Sequence, residues 1–163
     1  MAEATPRIAP VARVRPASVL DLPAMAAIER ASFADPWSEP MFRDSLASPA
    51  RIVLVAEDAD GAVQGFAVAQ SAAGDADVLD IAVLPAARGR GVGAALLRAA
   101  LVRCVESGAD QIALEVRESN VAARALYTRL GFTEVGRRKR YYQAPVEDGL
   151  LMHRSLRCYD GLR

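Results

Sequence analysis

The spacing of hydrophobic residues changes several times along the chain, and each change marks an element. Val11 to Arg15 alternates weakly and reads as a first strand. From Asp21 the period becomes helical. Pro23 suits a first turn, and Leu22, Met25, Ala26 and Ile28 or Glu29 follow at helical spacing. Asp35-Pro36-Trp37 breaks this pattern, and Ser38 stands where it can cap a short second helix containing Met41, Phe42 and Leu46. Two alternating runs, Ile52 to Ala56 and Val63 to Gln70, flank the turn Asp58-Ala59-Asp60-Gly61 as a hairpin. Gly65, inside the second run, marks a bulge or a close backbone approach.

A third β run, Val78 to Leu84, leads through Pro85 into Arg88-Gly89-Arg90-Gly91-Val92-Gly93-Ala94. Leu97, Leu101, Cys104 and Val105 then make a helical stripe from Val92 to about Ser107, which Gly108 ends. Gln111 to Val116 is another strand. A helix follows from a cap at Asn120 to Leu130, where Gly131 stops it, and Phe132–Tyr142 and Leu150–Leu156 are final β runs. The order βααβββαβαββ predicts the α/β (α+β) class, a mixed sheet with helices packed on it. Residues 1–10, rich in Ala and Pro, are expected to fray; 11–156 form one domain and 157–163 a tail.

Composition narrows the functional classes. The chain has 163 residues, 52% hydrophobic and 25% charged, which is ordinary for a folded domain. A formal net charge of +0 supplies no global field to draw it to DNA or to a lipid surface. No apolar stretch approaches the ~20 residues of a membrane span, because Arg98 and Arg103 interrupt the best candidate. The two cysteines, Cys104 and Cys158, and the single His153 lack metal-ligand spacing, so no metal is expected. A soluble, cytoplasmic, monomeric protein is the expectation.

The glycine loop carries the first chemistry. It leaves a strand and enters a helix, where the first backbone N–H groups have no partner within the helix and the helix dipole favours an anion. Gly91 and Gly93 lack a Cβ that would hold such an anion away, and Arg88 and Arg90 add positive charge. A Walker loop would need Gly-Lys-Ser/Thr, and there is no lysine here. The dinucleotide fingerprint also fails, since Gly89-Arg90-Gly91-Val92-Gly93 is one residue short and follows an antiparallel hairpin.

The loop instead resembles the Arg-x-x-Gly-x-Gly/Ala coenzyme A pyrophosphate loop of the GCN5-related N-acetyltransferase (GNAT) superfamily. Within it, the chain is most similar to the ribosomal-protein-alanine N-acetyltransferase (RimI) family. Pro36-Trp37-Ser38-Glu39 with Phe42 carries that resemblance, as do Ile81-Ala82-Val83 with the loop, Leu114-Glu115-Val116-Arg117 through Ser119-Asn120 to Leu130-Gly131-Phe132, and Tyr141-Tyr142 before Glu147-Asp148. The resemblance implies a mostly antiparallel sheet of about seven strands flanked by about four helices, with acetyl-CoA as co-substrate. It places the coenzyme on the backbone of Ile81, Ala82 and Val83, on Arg88, Gly89, Arg90, Gly91, Val92, Gly93 and Ala94, and on Asn120. It also implies the N-terminal amine of a small-subunit ribosomal protein as acceptor. Departures are a longer N-terminus, a shorter loop after Tyr142 and a C-terminal tail that does not align.

Aminolysis of a thioester needs a neutral amine and a protonated leaving thiol. Period 2 sets Glu115 opposite Ile112, Leu114 and Val116, so its carboxylate faces a cleft, water or a cation such as Arg117 or Arg90. The resemblance makes Glu115 the base. Tyr127 lies two helical turns beyond Asn120 and, at a pKa of ~10, is a phenol at neutral pH; it is either core packing beside Leu126 and Leu130 or, as the resemblance implies, the general acid. Asp80 shares a strand face with Ala82 and either binds the acceptor or satisfies neighbouring backbone. Trp37, Tyr141 and Tyr142 either wall the acceptor groove or pack. The run Arg137-Arg138-Lys139-Arg140 is a ribosome or RNA contact or a solvated strand face. Two rival functions remain. One is the same chemistry on lysine side chains, other N-termini or small amines; the other is a non-catalytic acyl-CoA-binding module.

Overall fold

The computed structural model describes residues 12–159. The extension over 1–10 and the last residues of the tail lie outside them. The elements in chain order are β1 (Arg13–Pro16), α1 (Leu22–Ser32), α2 (Glu39–Ala47), β2 (Arg51–Glu57), β3 (Val63–Ala72), β4 (Asp75–Val83), α3 (Val92–Glu106), β5 (Gln111–Arg117), α4 (Val121–Arg129), β6 (Thr133–Gln143) and β7 (Val146–Ser155). One seven-stranded sheet takes the order β1-β2-β3-β4-β5-β7-β6. The order, the helices and the strand count agree with the expectation; Val11, expected in the first strand, lies outside the described residues, and β7 begins four residues earlier than expected.

The interior follows from the hydrophobic spacing. Leu22, Met25 and Ile28 of α1 and Phe42 of α2 pack on one sheet face against Val53, Val55, Phe66, Val68 and Ala82. On the other face Leu97, Leu101 and Cys104 of α3 and Tyr127 of α4 meet Ile112, Leu114, Val116, Phe132 and Leu150. Ser38 sits at the N-cap position of α2 but makes no side-chain cap bond; Asn120, by contrast, caps α4 by accepting from the Ala123 amide at 3.2 Å.

Gly65 is a close approach. A Cβ there would lie 2.8 Å from the Ala82 carbonyl oxygen and 3.3 Å from Val83 Cα, so only glycine lets β3 run this tightly against β4. A bulge also lies beside it, since Ala56 pairs with Gly65 and Glu57 with Val63, leaving Gln64 over. A second bulge lies further along β3 and β4. Val68 pairs with Asp80 and Ala69 with Val78, leaving Leu79 without a partner. The extra residue changes parity along β4, turning Asp80 and Ala82 toward the α1–α2 side while Ile81 and Val83 face α3.

All neighbouring strands are antiparallel except β4 and β5. These two pair only from Asp75↔Gln111 to Val78↔Leu114. Beyond that they part. β4 stays bound to β3, and β5 stays bound to β7 as far as Arg117↔Gly149, so a wedge opens inside the sheet.

Candidate active site

The wedge is the mouth of a cleft of about 830 Å³ lined from both sheet faces. Glu29, Phe33 and Trp37 border it on the α1–α2 side, Asn120, Ala123 and Tyr127 of α4 on the other, and Asp80, Ile81 and Glu115 at the parted strands. Tyr141 and Tyr142 close its rim, their rings edge-on with centroids 5.0 Å apart. They reach it through an irregularity in β6: between Arg138↔Gly149 and Tyr142↔Glu147, Lys139 to Tyr141 stand opposite Asp148 alone. The Arg140 amide ties this distortion down by donating to Asp148 Oδ1 at 2.9 Å. Eight residues expected in the site thus share one cleft: Trp37, Asp80, Ile81, Glu115, Asn120, Tyr127, Tyr141 and Tyr142.

Ala82, Val83 and the glycine loop continue from it along β4. The edge of β4 that faces β5 is unpaired from Leu79 to Val83, an arrangement suited to an extended arm that adds main-chain hydrogen bonds. At its end Gly89 and Gly91 take φ of 75° and 83°, the left-handed region that glycine occupies without strain. Gly91 is the N-cap of α3 and no side chain caps that helix; the Ala95 amide, bonded to Gly91 O at 3.0 Å, begins the helical ladder. The amides of Val92, Gly93 and Ala94 precede it, and nothing occupies the space where Cβ atoms on Gly89 and Gly91 would stand. The loop therefore fits a diphosphate. Arg88 has a second task, since Nε donates to Val83 O at 3.0 Å and a terminal nitrogen to Ser32 Oγ at 3.1 Å, fastening the loop to β4 and α1.

Glu115 does not meet either cation expected for it. Arg117 pairs with Glu147 at 2.9 Å and stacks over Tyr142, whereas Glu115 Oε1 lies 3.0 Å from Nε of Arg138. Glu115 Oε2 is buried in the cleft without a partner. The basic run is thus not simply a solvated face: Arg137 bridges Glu118 and Asp148, and Arg138 holds Glu115. Strand periodicity could not foresee these partners, because they come from β7, from β5 and from the loop after β5.

Tyr127 is more deeply placed than a half-buried packing residue, at 6% exposure, with its ring centroid 6.0 Å from that of Phe132. Burial, then the charge of Asp80, then Tyr142 hold its phenol well above the ordinary value. Tyr142 is pushed up to about 12, chiefly by burial and then by Glu115. Tyr141 is raised first by the neighbouring Glu115 carboxylate and then by burial. All three phenols keep their protons at neutral pH.

The sequence reading missed Glu29. It sits in the apolar stripe of α1, where a carboxylate is out of place, and that was the available signal. Its Oε1 accepts from the Trp37 amide at 2.9 Å, and burial raises its pKa. Asp80 faces it. Burial, the Glu29 charge and a shared hydrogen bond push Asp80 up to about 8, so the two carboxyl groups together keep a proton at neutral pH.

The GNAT acetyltransferase family matches over residues 22–132, from the start of α1 to the residue before β6. The chain belongs to the GNAT family of acetyltransferases. It is 37% identical over 142 residues to the putative ribosomal protein bS18-alanine N-acetyltransferase of Bacillus subtilis, covering 86% of this chain and 93% of that one. It is 38% identical over 129 residues to the ribosomal protein bS18-alanine N-acetyltransferase of Escherichia coli K12, covering 79% and 84%. The crystal structure of the Escherichia coli ribosomal-protein-S18-alanine N-acetyltransferase superposes with a TM-score of 0.81 at 33% identity, covering 89% of this chain and 94% of that one. In this GNAT enzyme the unpaired end of β4 leads from the wedge to the glycine loop, whose residues do not line the cleft itself.

Proposed function

We propose that this chain transfers the acetyl group of acetyl-CoA to the α-amine of an N-terminal alanine on a small-subunit ribosomal protein, acting in the cytoplasm as a monomer. The observation that carries the reading is the opening of Glu115 and Tyr127 into one wedge, beside a strand edge that leads to a bare glycine loop. The names of the relatives support the acceptor. The chemistry is economical for such an amine: with a pKa of ~8 it is partly neutral already, whereas a lysine at ~10.4 is not.

In this mechanism the loop from Arg88 to Ala94 holds the diphosphate, and Ile81, Ala82 and Val83 hold the arm by their backbone. Asn120, whose side chain is engaged as a helix cap, borders the cleft where the coenzyme passes. Glu115 Oε2 takes a proton from the ammonium, directly or through a water, and the neutral amine attacks the thioester carbonyl. Tyr127 then faces the departing sulfur. Its raised pKa makes complete proton transfer to a thiolate, whose parent thiol is near ~8.5, uphill; its part is to donate a hydrogen bond to the sulfur as charge develops and the C–S bond breaks, while the second proton of the attacking nitrogen passes to the departing thiolate. Trp37, Tyr141 and Tyr142 wall the acceptor.

Intact-mass analysis tests the reading. The chain and acetyl-CoA are incubated with an alanine-starting peptide, with the same peptide blocked at its N-terminus and carrying a lysine, and with a polyamine. A single acetyl on the first peptide alone is expected. Acetylation of lysine or polyamine instead moves the acceptor, and none at all supports an acyl-CoA-binding module.

A further inference from the structure

Glu29 has no task in the mechanism above, yet it is 2% exposed. Its Oε2 and Oδ2 of Asp80 on β4 are buried and find no hydrogen-bond partner outside the pair. The two carboxyl groups are within hydrogen-bonding reach of each other, and both border the cleft. Two facing carboxylates repel strongly in a site with little water, so a proton between them is the low-energy arrangement. Such a pair still bears one negative charge. No arginine, lysine or histidine of the described residues forms an ion pair with either acid. A buried charge lacking a counter-ion is costly, and here it stands on the α1–α2 side of the wedge, facing the cavity where an amine would approach the thioester.

We propose that the Glu29–Asp80 pair is the recognition point for the acceptor's ammonium group, Asp80 contacting the cation and Glu29 positioning Asp80 from behind. The proposal rests on the acetyltransferase reading but not on which amine is acetylated. It separates two duties: the pair holds the cation on arrival, and Glu115, across the wedge, removes its proton. It also explains a carboxylate within the otherwise apolar contact of α1. The Trp37 amide fixes one oxygen of Glu29, leaving the other for Asp80.

The test compares two ligands by calorimetry on the full chain saturated with CoA, so that no turnover occurs. One is an alanine-starting peptide and the other its des-amino analogue, with a propionyl group in place of the alanine. The wild-type chain should bind the amino peptide tighter by roughly ten- to a hundred-fold, the range for a hydrogen bond to a charged group. In Asp80→Asn and Glu29→Gln, both close in shape to the wild-type side chains, that ratio should fall toward one while CoA affinity stays unchanged. A ratio near one in the wild type, or a wild-type ratio kept in both variants, overturns the proposal. If Glu29→Gln fails to fold, Asp80→Asn decides alone. Should intact-mass analysis show that the chain acetylates a different amine, the same comparison is made with that amine and its des-amino analogue, so the two readings fail separately.

Discussion

Arg138 on β6 holds one oxygen of Glu115 on β5, at 3.0 Å from Nε to Oε1, and leaves the other oxygen turned into the cleft. The ion pair orients the carboxylate, and the free oxygen is the one able to receive a proton. Glu115→Gln keeps the shape and removes the basicity. Turnover should drop by about 10²–10⁴, the usual range for a general base, while acetyl-CoA affinity by calorimetry stays near wild type. Unchanged turnover removes Glu115 from the mechanism. Arg138→Ala should matter much less, because Arg138 is 59% exposed and such pairs contribute ~0–1 kcal/mol.

Tyr127→Phe deletes one oxygen and keeps the ring that packs beside Phe132. Thermal stability should hold or rise slightly, since the buried hydroxyl goes with it. The chemical step, followed as thiol release in a single turnover, should slow by at least about tenfold, which corresponds to ~1.4 kcal/mol of lost transition-state stabilisation. An unaltered single-turnover rate would remove the Tyr127 hydrogen bond from the transition state.

Gly91 and Gly65 should fail in different ways. At Gly91 an added Cβ meets nothing, but φ is 83°. Gly91→Ala should therefore lose about 1–2 kcal/mol from backbone strain and weaken acetyl-CoA binding as the loop relaxes away from the left-handed turn. At Gly65 the backbone conformation is ordinary and the space is missing, with Ala82 O at 2.8 Å. Gly65→Ala should cost about 1–3 kcal/mol, read from denaturant melts, by pushing β3 off β4.

Asp80→Asn gives a pH signature in stability. The pKa of Asp80 rises from its ordinary 3.8 unfolded to about 8 folded, so the folded chain binds more protons across that window. Stability contributed by the protonated group is complete below ~4 and is lost as pH rises toward 8. The asparagine variant has no proton to lose. Its thermal midpoint relative to wild type should climb between pH 4 and 8 and level off above; a constant difference across that range would contradict the buried, protonated state.

The fold was legible because its boundaries are written in short-range chemistry. Asn120 caps a helix, Gly131 ends it, and the Asp58 turn closes a hairpin by accepting from the Asp60 and Ala62 amides. Alternation placed Glu115 away from the core correctly. The partners of these residues were not legible. The Arg138–Glu115 pair and the Glu29–Asp80 contact join residues far apart in the chain, and no local period reports which strand neighbours which. The bulge at Leu79 was hidden for the same reason: only the register against β3 reveals the extra residue. Glu29 fitted a helical stripe and was passed over as part of it.

The four residue pairs that join β4 to β5 are the seam between two smaller sheets, β1 to β4 and β5 with β7 and β6. The proposed places of donor and acceptor lie on the two sides of that seam. A substrate that opened or closed the fork would alter the affinity of the other, and reciprocity would make the influence equal in both directions.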